Sequence, residues 1–467
     1  MRAIQDSASS NGWARRLALL LGVLAVVVSL SLIAACGGDD DDEATGTSTG
    51  EASGASAGTD IPEAEVKFAF YPCCADHAIF AVAIEKGFMK DVGITPVPPE
   101  GHQYTVFDQI VPSMQRGDQD VAGMFIQGYL NTLPTFGQDI PPILFHDIYV
   151  GYAILKAPDN DAKTALEFMD EGMEFPEAAA AAVEQLRGEE VYTPPHGTVQ
   201  PPYPDVFLSY ADMNYPDDLE LKFLEDPKIV ELSTTPGRMK WAIPYAAPVL
   251  VQMIREGWEP VINVNMIFEH DNESDQAARM RTLVGSSGLI AQRDWVDNNE
   301  DTALRLLSSI YRAIDYVEDP ATQQDGWKIE SDLINATQGL KLIPEDIGTI
   351  FEEVDPLFPW DQQGEQLWDD PDAPYHVRSS LDVQIQSLID NKTIPDQEYD
   401  MDQFLVAERL YKRMKELQTE ADGLIEEADS ADLSGDKAEL VETAKQHYEW
   451  HNYLDAVRFL KAALEDN

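Results

Sequence analysis

The sequence predicts an α/β protein with two doubly wound lobes, a hinge and an inter-lobe cleft, plus a C-terminal helical hairpin. Short β-rich runs alternate with stretches whose apolar residues recur at helical spacing, which is typical of parallel sheets flanked by helices. The chain has 467 residues, too many for one small domain and suited to two lobes with an extension. Hydrophobic residues make up 44% of it, so both lobes can bury a core.

The N-terminal region predicts export and anchoring. Arg15 and Arg16 precede an apolar run that ends at Ala34 and Ala35, so residues 1–35 are predicted to be a signal peptide. Cys36 follows two alanines as in a bacterial lipobox, and this resemblance implies that its thiol is lipidated. The alternative is an uncleaved anchor helix, because the apolar run is long enough to span a bilayer. Either way, the rest of the chain is expected outside the cytoplasmic membrane, held at the outer face of the cell membrane.

Residues 36–62 are predicted to form a flexible acidic tether, since they are rich in Gly, Ser, Thr and acids and have no apolar periodicity. The whole chain is strongly acidic, with 84 Asp and Glu against 32 Lys and Arg and a formal net charge of −52. Nucleic acid is excluded as a partner, because binding it requires basic patches. Such a charge favours a soluble monomer, and it suits either a salt-rich habitat or an ordinary acidic secreted protein.

The exported body begins with a strand, a loop and a helix. The alternating run 66–71 predicts the strand, and 77–86 predicts the helix. Further strands are predicted near 94–97, 143–145, 152–156 and 261–266. Their alternation with helices favours a parallel, doubly wound sheet.

The order of several short motifs resembles the ABC-transporter substrate-binding proteins, in the branch for nitrate, alkanesulfonates, taurine and the pyrimidine precursor of thiamine. The motifs are His77-Ala78-Ile79-Phe80-Ala81-Val82-Ala83, Lys86-Gly87-Phe88-Met89, Val92-Gly93-Ile94, Gly117-Asp118-Gln119-Asp120-Val121-Ala122, Gly151-Tyr152-Ala153-Ile154, Leu186-Arg187-Gly188, Gly237-Arg238-Met239-Lys240-Trp241-Ala242 and Gly285-Ser286-Ser287-Gly288. The resemblance implies a periplasmic binding protein of type II, a small-molecule ligand, and an ABC permease with its ATPase as partners.

The resemblance also implies the domain boundaries. Lobe 1 is expected over 64–157 and 264–395, and lobe 2 over 158–263 with a helical insertion at its start. Residues 396–467 extend beyond a typical member. Two helical stretches there, separated by a loop near Asp432, predict a helical hairpin.

Candidate binding residues follow the predicted strands, because ligands of open α/β sheets bind at the carboxyl ends of strands. His77 opens a helix, whose free N–H groups favour an anionic or carbonyl group; a surface cap is the alternative. Aromatic rings favour a planar heterocycle slightly over nitrate or a sulfonate, whereas Trp241 is expected in the core. The candidates are Tyr71, Cys73, Cys74, Asp76, His77, Met124, Phe125, Gln127, His196, Thr198, Tyr245 and Glu269.

No catalytic residue, cofactor or metal site is predicted. Cys73 and Cys74 are either two thiols or a strained vicinal disulfide. With Asp76 and His77 they suit zinc or iron by type, but ligands so close in sequence rarely converge on one ion. His447 and His451 lack the spacing of a metalloprotease.

Two other functional classes stay open. One is a pyrimidine-precursor-type enzyme on the same fold. Its cysteine-rich motif is faintly similar to Cys73 and Cys74, although such enzymes are cytosolic. The other is a structural or adhesive lipoprotein, which the C-terminal helices would suit. No nucleophile elbow or phosphate-binding glycine loop supports an enzyme.

The lipobox resemblance predicts that Cys36→Ser abolishes membrane retention without weakening ligand binding, because the thiol carries the anchor and lies outside the folded body. Fractionation into membrane and soluble material after a detergent-free wash measures this. Retention of the variant in the membrane would favour the anchor helix instead.

Overall fold

A computed structural model describes residues 61–136, 139–194, 203–215, 217–271 and 273–465. The signal peptide and most of the tether predicted from the sequence lie outside these residues. The strands are β1 (Ala64–Val66), β2 (Phe68–Phe70), β3 (Ile94–Pro96), β4 (His102–Gln103), β5 (Val121–Phe125), β6 (Pro142–Phe145), β7 (Ala153–Lys156), β8 (Glu190–Thr193), β9 (Glu220–Phe223), β10 (Trp241–Ala242), β11 (Glu259–Asn263) and β12 (Ser287–Ala291).

Helices cover both sheets and form the C-terminal part of the chain. Within the described ranges, no helix is both long enough and apolar enough to cross a membrane. The helices are α1 (Ala75–Glu85), α2 (Phe88–Asp91), α3 (Ile110–Gln115), α4 (Ile126–Leu130), α5 (Leu133–Phe136), α6 (Ala165–Asp170), α7 (Phe175–Glu184), α8 (Tyr203–Leu208), α9 (Asp226–Ser233), α10 (Ala247–Arg255), α11 (Val264–His270), α12 (Asp275–Arg281), α13 (Arg293–Asn298), α14 (Glu300–Glu318), α15 (Gln323–Gln338), α16 (Pro344–Thr349), α17 (Trp360–Gln363), α18 (Val377–Asp390), α19 (Met401–Phe404), α20 (Val406–Ser430), α21 (Asp436–Glu449) and α22 (Tyr453–Leu464).

Two five-stranded sheets form the centres of two lobes, which confirms the predicted α/β fold class. The first sheet has the order β4-β2-β5-β12-β6, and the second has the order β11-β7-β10-β8-β9. The inner strands are buried: every residue of β2, β6, β7 and β12 is buried, whereas β4, β8, β9 and β11 include exposed residues. Their near-continuous apolar sequences follow from this burial on both faces.

Each sheet contains one strand that runs against the others, so the prediction of purely parallel sheets is wrong. β12 is antiparallel to β5 and β6, and β7 is antiparallel to β10 and β11. The chain passes from β6 of the first sheet into β7 of the second without a helix between them, and it later returns from β11 of the second sheet to β12 of the first. Each reversed strand is thus the first strand that the chain forms after it crosses to the other sheet.

The strand pairing corrects two predicted boundaries. β7 belongs to the second sheet, so the first lobe ends before residue 153 and not at 157. The strand expected over 261–266 ends at Asn263, whose side chain accepts a hydrogen bond from the Met266 N–H at 2.8 Å. This N-cap starts α11 and turns the chain back towards the first lobe.

The C-terminal extension is helical as predicted, and its main helices are α20, α21 and α22. A turn at Trp450 and His451 separates α21 from α22, with Asn452 capping α22. The extension packs on the first lobe through aromatic rings: Trp360 lies 5.5 Å from Tyr411 and 5.7 Å from Tyr453, between ring centroids.

A direct test of this docking is Phe404→Ala. Phe404 is fully buried and stacks on Tyr129, with ring centroids 5.9 Å apart. The change should lower the free energy of unfolding by about 3–5 kcal/mol, since it leaves a cavity between the extension and the first lobe. Chemical denaturation measures it, with the half-exposed Val383→Ala as control. A loss of under about 1 kcal/mol would show that the extension is not docked there.

Candidate functional site

A cavity of about 220 Å³ lies where the two sheets face each other. One set of wall segments lies at or after the ends of strands: β2, β5, β8, β9 and β10. A second set lies just before or at the start of the two reversed strands, β7 and β12. Because a reversed strand begins where its neighbours end, all these segments meet at one edge of each sheet. The cavity is therefore an inter-lobe cleft of the kind predicted at the carboxyl ends of strands.

Aromatic side chains form much of the cleft wall. The Tyr149 hydroxyl donates to the Tyr245 carbonyl oxygen at 2.5 Å, which links the passage between the sheets to the second lobe. Behind it, Tyr152 stacks on Tyr203 at 4.1 Å between centroids. Tyr71 and Phe125 complete the aromatic surface from the first lobe. These rings offer flat apolar faces and hydroxyl groups to a solute.

Carboxylates form the polar part of the same cleft. Asp76, Asp355, Glu225 and Asp226 line it, and Asp147 lies directly behind Asp76 and Asp355. None of the described lining residues is Lys, Arg or His. The sequence predicted a site with aromatic rings and a histidine. The described part of the cleft wall is aromatic and acidic.

Three of these carboxylates, Asp76, Asp147 and Asp355, form a cluster that we call the aspartate triad. One oxygen of each lies within 4.8 Å of one oxygen of the other two. Burial and the neighbouring carboxylates raise the pKa of Asp147 and of Asp355 far above the usual range. Ser287 stabilises the cluster from one side, since its hydroxyl donates to Asp76 Oδ2 and its N–H donates to Asp147 Oδ1.

Two histidines next to the triad are buried and unsuited to supply positive charge. His77 lies 3.5 Å from Asp76 between Nε2 and Oδ2, and burial lowers its pKa. The His146 Nε2 lies 2.9 Å from the Asp76 carbonyl oxygen, and burial lowers the pKa of His146 to about 4. Both rings are therefore uncharged at neutral pH.

Six of the predicted site residues line the cleft: Tyr71, Cys73, Cys74, Asp76, Phe125 and Tyr245. Cys73 and Cys74 are free, partly buried thiols, which settles the alternative of a vicinal disulfide in this structure. Trp241 is buried in the core as expected. His196, Thr198 and the lipidation site Cys36 lie outside the described residues.

Four other predicted site residues do not line the cleft. Met124 is 1% exposed and packs in the core, because its side chain points to the opposite face of β5 from Phe125. His77 is fully buried with its ring against Phe107, 5.0 Å between centroids, so it is neither a surface cap nor a wall residue. The Gln127 amide donates to the Thr282 carbonyl oxygen at 2.8 Å. Glu269 is exposed on α11 beside His270.

Four residues in or beside the cleft were not predicted from the sequence: Asp147, Tyr149, Asp226 and Asp355. Asp147 and Tyr149 lie between two correctly located strands, β6 and β7. Because this segment connects two strand ends, its position could have marked both residues as candidates. Asp226 follows β9, a strand that was not identified. Asp355 lies far along the chain with no local motif, so only the folded structure brings it to the triad.

Several solved structures are similar to this chain. The periplasmic aliphatic sulphonate binding protein SsuA from Escherichia coli is 12% identical, covers 75% of this chain over 99% of its own, and has a TM-score of 0.46. The periplasmic nitrate-binding protein NrtA from Synechocystis PCC 6803 is 14% identical, with coverages of 73% and 91% and a TM-score of 0.42. The desulfurization enzyme DSZB is 12% identical, with coverages of 74% and 99% and a TM-score of 0.45. No protein-family profile matches the sequence, and no curated protein matches it.

Asp226 gives the cleft a predicted pH dependence. Burial raises its pKa from 3.8 to about 7, so between these values the folded protein keeps a proton that the unfolded chain has lost. The protein therefore loses stability as pH rises through this window. Asp226→Asn removes this pH dependence. The change that it causes in the free energy of unfolding should be more stabilising at pH 8 than at pH 4, by on the order of 2 kcal/mol after allowance for solvent screening.

Denaturant titrations at both pH values measure this difference. Asp170→Asn, at an exposed position, is the matched control for loss of one carboxylate. Equal effects of the two substitutions at both pH values would contradict the proposed burial of Asp226.

Proposed function

We propose that the protein is the extracytoplasmic solute-binding component of an ABC importer, which captures a small molecule between its lobes and delivers it to a permease. The observation that carries this proposal is the cleft itself. Its wall is assembled from strand ends of both sheets, so a solute bound there would contact both lobes at once. This arrangement couples binding to the relative position of the lobes, as transport requires. The order of the sequence motifs supports the same class.

The chemistry of the wall favours a flat solute that donates hydrogen bonds or carries positive charge. Tyr71, Phe125 and Tyr245 offer ring faces for stacking or for cation–π contact. Asp226 and Asp355 offer carboxyl oxygens. A nitrate or sulfonate group would meet no basic side chain among the described wall residues, so an anion is the less favoured solute.

Contacts of α10 of the second lobe with α16 of the first and with the segment before it would hold the lobes together around the solute. An Arg255 guanidinium N–H donates to Asp346 Oδ2 at 2.5 Å, and another donates to the Lys341 carbonyl oxygen at 2.7 Å. The Lys341 N–H donates to the Gln252 side chain at 2.9 Å. We infer that these hydrogen bonds belong to the closed form and break as the lobes separate. The permease would then recognise the closed surface.

Anchoring completes the proposal. Lipidated Cys36 and the tether 36–62 would keep the two lobes near the membrane while leaving them free to meet the permease. A single acyl chain binds a membrane only marginally, so stable anchoring requires more than one chain on this cysteine. The Cys36→Ser fractionation tests this part separately from solute capture.

Solute capture predicts that the purified protein carries a small molecule, and that mass spectrometry of the denatured protein identifies it. Returned to stripped protein, that compound should raise the melting temperature in a saturable way. If none is carried, a panel of pyrimidines, amines, sulfonates and nitrate replaces it. Tyr245→Ala should weaken binding at least about tenfold, because it removes one face of the cleft.

The control is Tyr215→Ala, which removes an exposed tyrosine of the second lobe that does not line the cleft. A well-folded protein that carries nothing and responds to no compound of the panel would refute solute capture. Equal effects of the two tyrosine substitutions would refute the assignment of the cleft as the binding site.

A further inference from the structure

We propose that the aspartate triad at the inner end of the cleft binds one divalent metal ion through carboxylate oxygens. The site lies in the first lobe, beside the solute cavity and partly forming its wall. It adds a metal to a protein for which the sequence predicts none, and its test does not require the identity of the solute.

The triad is almost completely buried. Asp76 is 4% exposed, Asp147 is 0% and Asp355 is 1%. Carboxylates are rarely buried to this extent unless a cation or a set of hydrogen-bond donors compensates their charge. The charge needs a partner, and no Lys or Arg of the described chain forms an ion pair with these three.

The hydrogen bonds of the triad are one-sided. Ser287 occupies Asp76 Oδ2 and Asp147 Oδ1, and the Ser286 hydroxyl also donates to Asp147 Oδ1 at 3.2 Å. With all three carboxylates ionised, the remaining oxygens receive no hydrogen bond from the described protein: Asp76 Oδ1, Asp147 Oδ2 and both oxygens of Asp355. The serines thus fix the orientation of two carboxylates while leaving one oxygen of each for another ligand, as supporting groups do around metal ions.

The spacing of the oxygens fits a hard divalent cation. Calcium binds oxygen at about 2.3–2.6 Å, so two oxygens on opposite sides of the ion are about 4.6–5.2 Å apart. One oxygen of each triad member lies within 4.8 Å of the other two, so all three are close enough to reach a single ion at these distances. An all-oxygen set selects Ca²⁺, Mg²⁺ or Mn²⁺ over softer ions such as zinc or copper.

A divalent ion suits the triad better than the amino group of a bound solute. Binding that displaces the protons of the triad leaves three negative charges, of which a metal ion neutralises two and an ammonium group one. Asp147 also lies behind the cleft wall and does not line it, so a compact ion reaches it more readily than a group attached to an organic molecule. Asp76 and Asp355 do line the cavity, so water or a solute atom can complete the coordination.

Calorimetry on the full chain, stripped with a chelator and kept at physiological ionic strength, tests the site. Titration with Ca²⁺, Mg²⁺ and Mn²⁺ should show one saturable site per chain for at least one ion, with a rise in melting temperature that follows occupancy. Asp355→Asn should weaken this binding at least about tenfold. In the absence of metal the same variant should melt at or above the wild-type temperature, because it relieves repulsion between buried carboxylates.

Asp382→Asn is the matched control: it removes one negative charge from an exposed position of α18 and reports any ion bound by the acidic surface. Asp147→Asn provides a second triad variant if Asp355→Asn does not fold. Binding that is lost in the triad variants and kept in Asp382→Asn supports the site. The proposal is overturned if no ion binds stoichiometrically, if all variants bind alike, or if only an organic amine produces the triad-dependent shift.

Discussion

The structure depends on how carboxylates are held away from water where the two lobes meet. Removing an ionised carboxylate from water is costly unless a cation or hydrogen-bond donors replace the solvent. Asp147 and Asp355 have no basic partner among the described residues, and Ser287 provides only part of the compensation. Burial therefore raises the pKa of both groups, and the otherwise well-packed first lobe contains two carboxyl groups that ionise with difficulty. Such arrangements are commonly found at functional sites, where a ligand supplies what the protein lacks.

The same constraint changes the chemistry that the cleft suits. A sulfonate or nitrate site needs positive charge, but the histidines near this cleft are buried and their pKa values are lowered. Aromatic rings and carboxyl groups together recognise flat molecules, amines and cations. The strand ends fix where the wall of such a cleft lies, and the residues after each strand decide what it can bind.

Local patterns in the sequence predicted the fold well. The run 66–71 contains β2, and the helix predicted from His77 is α1 displaced by two residues, because each element has a clear periodicity of its own. Pairing between strands distant in sequence was not predictable in this way, so the reversed direction of β7 and β12 was not predicted. The site residues, too, were predictable only where they follow a strand with a clear pattern of its own. Tyr71, Asp76 and Tyr245 follow identifiable strands, whereas Asp355 joins the triad only through long-range packing, and Met124 was misplaced by one step of strand alternation.

The position of β12 has a consequence for the order in which the protein folds during synthesis. β12 lies inside the first sheet, between β5 and β6, but the chain reaches it only after the whole second sheet. The second sheet is complete at Asn263, while the first lacks an internal strand until Ala291. As the chain emerges from its N-terminus, the lobe that begins second can therefore fold first. Until β12 is made, one edge of β5 and one edge of β6 lack the partner that it provides. Residues 68–145 are therefore the segment that most needs protection from aggregation.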